Sequence, residues 1–79
     1  MKTSMTLKYD PASDTLYIDA CPPYEEQESD EIAQGVAARL NPSSGDVENL
    51  EVMFFRQRFA AGKPFEIPVS VDMRSARQA

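Results

Sequence analysis

Apolar residues return at every second position in five short runs of this 79-residue chain, and Pro, Gly, Asn, Asp and Ser crowd the gaps between them. Period two is the repeat of a strand with one buried face, and those gap residues are the ones that reverse a chain. The clearest case is Tyr9-Asp10-Pro11-Ala12-Ser13-Asp14-Thr15-Leu16-Tyr17-Ile18. Before the turn, Met5, Leu7 and Tyr9 alternate with Thr6 and Lys8. After it, Leu16, Ile18 and Ala20 alternate with Thr15, Tyr17 and Asp19. Pro11 presets φ for the turn, and the carboxylates of Asp10 and Asp14 suit bonds to nearby backbone N–H groups. This predicts a β-hairpin whose structural residues are Tyr9, Asp10, Pro11, Asp14, Leu16, Tyr17 and Ile18. Tyr9 and Tyr17 read as a diagonal aromatic pair that packs the hairpin.

Cys21-Pro22-Pro23 ends the second run, because proline cannot donate to a sheet ladder. Five acids within residues 25–31 repel one another and predict a solvated loop or an edge segment. A second hairpin is expected over 35–55: Val36, Ala38 and Leu40, a turn at Asn41-Pro42-Ser43-Ser44-Gly45-Asp46, then Leu50, Val52 and Phe54. Gly45 is the expected site of positive φ. Phe55 to Ala61 lacks β-branched residues and runs into Gly62 and Pro64, which predicts two turns of helix with Phe55 and Phe59 on one face. Ile67, Val69 and Val71 alternate again, and Pro68 among them points to an edge strand. The expected class is therefore α+β, mainly β. Two successive hairpins plus a C-terminal strand form a small antiparallel sheet, with one short helix packed on it. One domain is expected over 1–79, with an ordered core at about 5–72 and a frayed tail at 73–79.

Net charge is −5, unevenly spread. Residues 1–51 carry eleven acids against Lys2, Lys8 and Arg39, whereas residues 52–79 carry Glu66 and Asp72 against Arg56, Arg58, Lys63, Arg74 and Arg77. Overall acidity disfavours non-specific nucleic-acid binding, which runs on clustered cations. The asymmetry suits attraction between elements of one fold or between two copies. No apolar run approaches the length of a membrane span, and Lys8, Asp10 and Asp14 interrupt any signal-like core, so a cytoplasmic protein with no membrane partner is expected.

The blocks Tyr9-Asp10-Pro11-x-x-Asp14-x-Leu16-Tyr17-Ile18, Glu31-Ile32-Ala33-Gln34-Gly35-Val36 with Leu40, Gly45-Asp46-Val47 and Leu50-Glu51-Val52 occur in that order. Together they resemble the domain of unknown function 2283, a family of short prokaryotic proteins, over about residues 5–55. The resemblance implies a small antiparallel sheet with a helical element. It also implies a frequent genomic setting beside short partner genes, some of them of toxin–antitoxin type. Residues 56–79 lie beyond it.

Chemistry has few places to reside. Without His the chain lacks the usual neutral-pH base and the commonest metal ligand. Cys21 has no cation near it in sequence to activate it, and the acids of 25–31 lack the Gly and the alternating spacing of a Ca²⁺ loop. The expectation is a non-enzymatic protein with no catalytic, cofactor or metal residues, although two carboxylates in one pocket would be the route to an enzyme. The expected role is a protein–protein interaction module, as a homodimer, as the antitoxin-like partner of a neighbouring gene product, or as both. Phe55, Arg56, Arg58, Phe59 and Lys63 are its candidate surface. The alternative is a small-molecule or nucleic-acid binder that uses the basic-aromatic stretch 54–63.

Overall fold

The computed structural model describes residues 4–76, so the last three residues of the expected frayed tail lie outside the described range. Five strands form: β1 (Thr6–Asp10), β2 (Thr15–Asp19), β3 (Glu28–Ala33), β4 (Val36–Leu40) and β5 (Val47–Met53), followed by one helix, α1 (Phe55–Ala60). They make a single antiparallel sheet in the order β1-β2-β5-β4-β3. The class expected from the sequence, a mainly antiparallel β protein with one short helix, is the class observed.

Residues directly opposite one another in an antiparallel ladder share a face, so the register sorts the side chains. One row runs Tyr9, Leu16, Val52, Val36, and a second runs Leu7, Ile18, Leu50, Ala38. These rows make the apolar face. On the other side lie Lys8, Tyr17, Glu51, Ala37, Glu31 and Thr6, Asp19, Asn49, Arg39, Ser29. Arg39 and Glu51 pair there at 3.0 Å. Tyr9 and Tyr17 therefore stand on opposite faces and do not form the diagonal pair the sequence suggested: one residue of offset flips a side chain across the sheet.

The fully buried apolar side chains sit at the centre, where β4 meets β5: Val36 and Ala38 at 0% exposure and Val52 at 1%. Phe55 of α1, against Tyr9, and residues 69–71, against Ile18 and Leu50, lie over parts of this face. The turns carry the expected chemistry. Asp10 accepts from Ala12 N and Ser13 Oγ, and Asn41 Oδ1 accepts from Ser43 N and Ser44 N, with Gly45 at φ 77°. Gly35, at φ 73°, turns β3 into β4.

Of the two alternatives for the acidic stretch, the edge segment is the one that forms: Glu28–Ala33 is the edge strand β3, paired with β4 through a bulge between Glu31 and Ala33. One segment differs from expectation: residues 65–71 form no strand. Pro64 and Pro68 withhold donors, and Val69 N bonds Ile67 O at 2.7 Å, a γ-type turn over Pro68 that spends a ladder donor locally. The segment crosses the apolar face instead of joining an edge. Among the described residues, no helix is long and apolar enough to cross a membrane.

Candidate functional site

The turn of the first hairpin reaches across the molecule to the helix. Asp14, at φ 53°, accepts from Tyr9 Oη at 2.6 Å and from Arg56 N at 2.9 Å, and its backbone carbonyl accepts from Phe55 N at 3.0 Å. Closing the hairpin turn thus falls to Asp10, while Asp14 acts as a remote cap for α1. The helix needs it: Phe54, at its N-terminus, adopts a left-handed conformation and supplies no side-chain cap. Donation from Tyr9 and then from Arg56 N holds the Asp14 carboxyl below its usual range.

Of the five candidate surface residues, Arg58 is engaged internally. Its Nε donates to Met53 O at 2.7 Å and its Nη2 to Gln34 O, while the guanidinium lies 4.4 Å from the Phe65 ring centre. It clamps the β3–β4 turn, the end of β5 and the outgoing chain together. Phe55 lies between Tyr9, whose ring is tilted to it by 55°, and Phe59, on which it stacks, each 5.9 Å away centre to centre. Only Phe55 of the two rings covers the sheet, since Phe59 is 80% exposed. Arg56 and Lys63 face solvent.

Farther along the same face, Val69 and Val71 arch over Ile18, Ala20, Leu50 and Met5, leaving a cavity of about 130 Å³ beneath them. Leu7 at the β1 edge, Met5 just before it, and Val71 and Met73 in the outgoing chain are largely exposed.

Beside this cavity, whose lining includes Glu48 and Asn49, lies a polar cluster that sequence reasoning missed. Asn49, 1% exposed, donates to Asp19 Oδ1 and Cys21 O and accepts from Gln27 Nε2 at 2.7 Å. Glu48 accepts from Tyr24 Oη at 2.6 Å, from Gln27 Nε2 and from Asn41 Nδ2. The cluster pins residues 21–27 to the sheet. Every buried side-chain polar atom in the described residues has a partner, and no group of three potential metal ligands occurs among them. Burial pushes the Cys21 thiol up, and the carboxylates of Glu48 and Asp19 add to this, the opposite of what a nucleophilic cysteine needs. A signal for this cluster existed in the sequence: Asn is depleted in strand interiors, so Asn49 within β5 marked a position with another task.

These hydrogen bonds fix the pH response. Donation to Glu48 pushes the Tyr24 hydroxyl up to about 12, and donation to Asp14 raises that of Tyr9. Groups raised in the folded state stabilise it fully below their unfolded values, and that stability is lost as pH climbs through the folded ones. Glu48, held down by Tyr24, Gln27 and Asn41, and Asp14 give the reverse: stability present above 4.5 and 3.8 and lost as pH falls. Urea midpoints should form a plateau in the neutral range, with losses below 4.5 and between 10 and about 12. Tyr24→Phe should make the alkaline loss shallower; an unchanged slope would contradict the assignment.

A family model described as a protein of unknown function, DUF2283, matches residues 6–56. The chain belongs to the DUF2283 family. In this DUF2283 protein the match spans all five strands and ends just inside α1, so the segment that covers the apolar face lies beyond it. Neither the curated proteins nor the solved structures contain a match to the chain.

Proposed function

We propose that this DUF2283 protein is a protein–protein association module that works as a homodimer, with a second copy burying the apolar side of the sheet and the chain that crosses it. One observation carries the reading: the single chain exposes too much surface. Its accessible area is 6337 Å², whereas a compact monomer of 8.8 kDa is expected to expose about 4,800 Å². The radius of gyration agrees, at 13.5 Å against about 11.6 Å for a compact chain of this length. The difference, roughly 1,500 Å² per chain, falls in the range that a homodimer subunit buries.

Charge supports a second copy as the occupant. The acidic edge strand β3 and the basic residues Arg56 and Lys63 lie on one chain, and a two-fold interface brings each to its opposite reciprocally. Sedimentation velocity over a concentration series tests the reading. A species of twice 8.8 kDa is expected. A single 8.8 kDa species up to the millimolar range would overturn it, as would a stoichiometric complex with a different short protein and no self-complex.

A further inference from the structure

The longest strict alternation in the chain belongs to a segment that lies outside the sheet. Phe65, Ile67, Val69, Val71 and Met73 are separated by Glu66, Pro68, Ser70 and Asp72. Among the described residues, no backbone hydrogen bond joins 65–73 to the sheet.

Proline gives this segment a direction. In a strand, successive residues point their N–H and C=O groups to opposite sides. Pro68 removes a donor from the side presented by residues 66, 68, 70 and 72. The side presented by 65, 67, 69, 71 and 73 keeps all its N–H groups, and the Val69 N–H, bonded to the Ile67 carbonyl at 2.7 Å in the single chain, becomes available when that turn opens. The segment can therefore pair on one side only, and that side belongs to its apolar residues.

The two edges of the sheet differ as hosts. β3 presents Glu28, Asp30 and Glu31 and carries a bulge, both of which discourage pairing. β1 carries one cation, Lys8, and an exposed apolar Leu7. Its backbone phase can be read from its neighbours. Ala20 N bonds Glu48 O and Phe55 N bonds Asp14 O, so the even residues of β2 face β5. The odd residues of β2 then face β1, and the register Thr6–Asp19, Lys8–Tyr17, Asp10–Thr15 turns those β1 residues inward. Leu7 and Tyr9 point their backbone groups outward, and both side chains lie on the apolar face.

We infer that in the homodimer residues Phe65–Met73 of each copy add, antiparallel, as a sixth strand on the β1 edge of the other copy. Paired residues of an antiparallel ladder share a face, so the outward groups of Leu7 and Tyr9 must meet residues whose side chains are also apolar. The complete side of 65–73 supplies those residues; the opposite parity would not. Pro68 then faces outward on the new edge and blocks a further strand, which closes the assembly at two copies instead of a fibre. Gly62, at φ 72°, and Pro64 set the connection that releases the segment.

This inference rests on the homodimer reading, and two proline variants separate their failures. Val71→Pro removes a donor from the pairing side; Ser70→Pro removes one from the outward side, and both leave the monomer sheet untouched. Dimer dissociation constants from sedimentation should rise roughly a hundredfold for Val71→Pro, tenfold for each of two symmetric strands. Ser70→Pro should leave them nearly unchanged. Amide exchange of Leu7 and Tyr9 should be slow in the wild-type dimer and fast in Val71→Pro. Equal dimerisation of both variants, or fast exchange at Leu7 and Tyr9 in the wild-type dimer, overturns the strand addition while the homodimer stands. A wild-type protein that is monomeric throughout overturns both.

Discussion

Asn49→Ala is expected to lower the unfolding free energy by roughly 3 kcal/mol, at about 1 kcal/mol for each hydrogen bond lost or partner left unsatisfied. The side chain accepts from Gln27 and donates to Asp19 and to the Cys21 carbonyl while 1% exposed, so water does not simply replace it. A chain of this length is worth roughly 4–12 kcal/mol in total, so the loss is a large share of the whole. The melting midpoint should drop by roughly 12–24 °C. Urea unfolding with an unchanged m-value would place the effect in the folded state. Asn49→Leu refills the space but supplies no hydrogen bonds, and it should recover little. A loss below about 1 kcal/mol in either variant would mean that the segment 21–27 re-pairs with solvent at little cost.

The second large effect is expected at Gly35. Its φ of 73° is costly for any residue with a β-carbon, and a β-carbon there would overlap the Nη2 of Arg58. Gly35→Ala should therefore cost about 1–2 kcal/mol in backbone strain and a further 1 kcal/mol or so for the displaced bond from Arg58 to the Gln34 carbonyl. The two parts can be separated. In an Arg58→Ala background the steric part has no object, and only the backbone cost should remain. A double-mutant cycle would then return a coupling of about 1 kcal/mol. Strict additivity would mean that Arg58 sidesteps the new methyl group without losing its contacts.

Much of the sheet can be read from the chain itself. The alternation of Leu16, Ile18 and Ala20 and of Val36, Ala38 and Leu40 assigned faces correctly, because period two is a local property of extended backbone. Phe55 to Ala60 was legible as a helix from its composition and the glycine after it. Two things were not local and were not legible. The partner of Asp14 lies 42 residues away at Arg56 N, a contact that no window of sequence contains. Arg58 looked like a free surface cation until the fold placed the Met53 and Gln34 carbonyls beside it. The acids of β3 left a solvated loop and an edge segment open, and an edge strand with one open side accommodates them, since its side chains stay largely in water.

The strand order carries a consequence for synthesis. β5, the last of the five strands made, is the middle of the sheet and the strand that joins the β1–β2 hairpin to the β3–β4 pair. Until Met53 has left the ribosome, the nascent chain holds two separate half-sheets, each with an uncovered apolar side. At about 5–20 residues per second, β2 waits a few seconds for its partner. That interval is when the chain is most open to mispairing or to capture by a chaperone, and slowing translation within residues 20–47 should lengthen it.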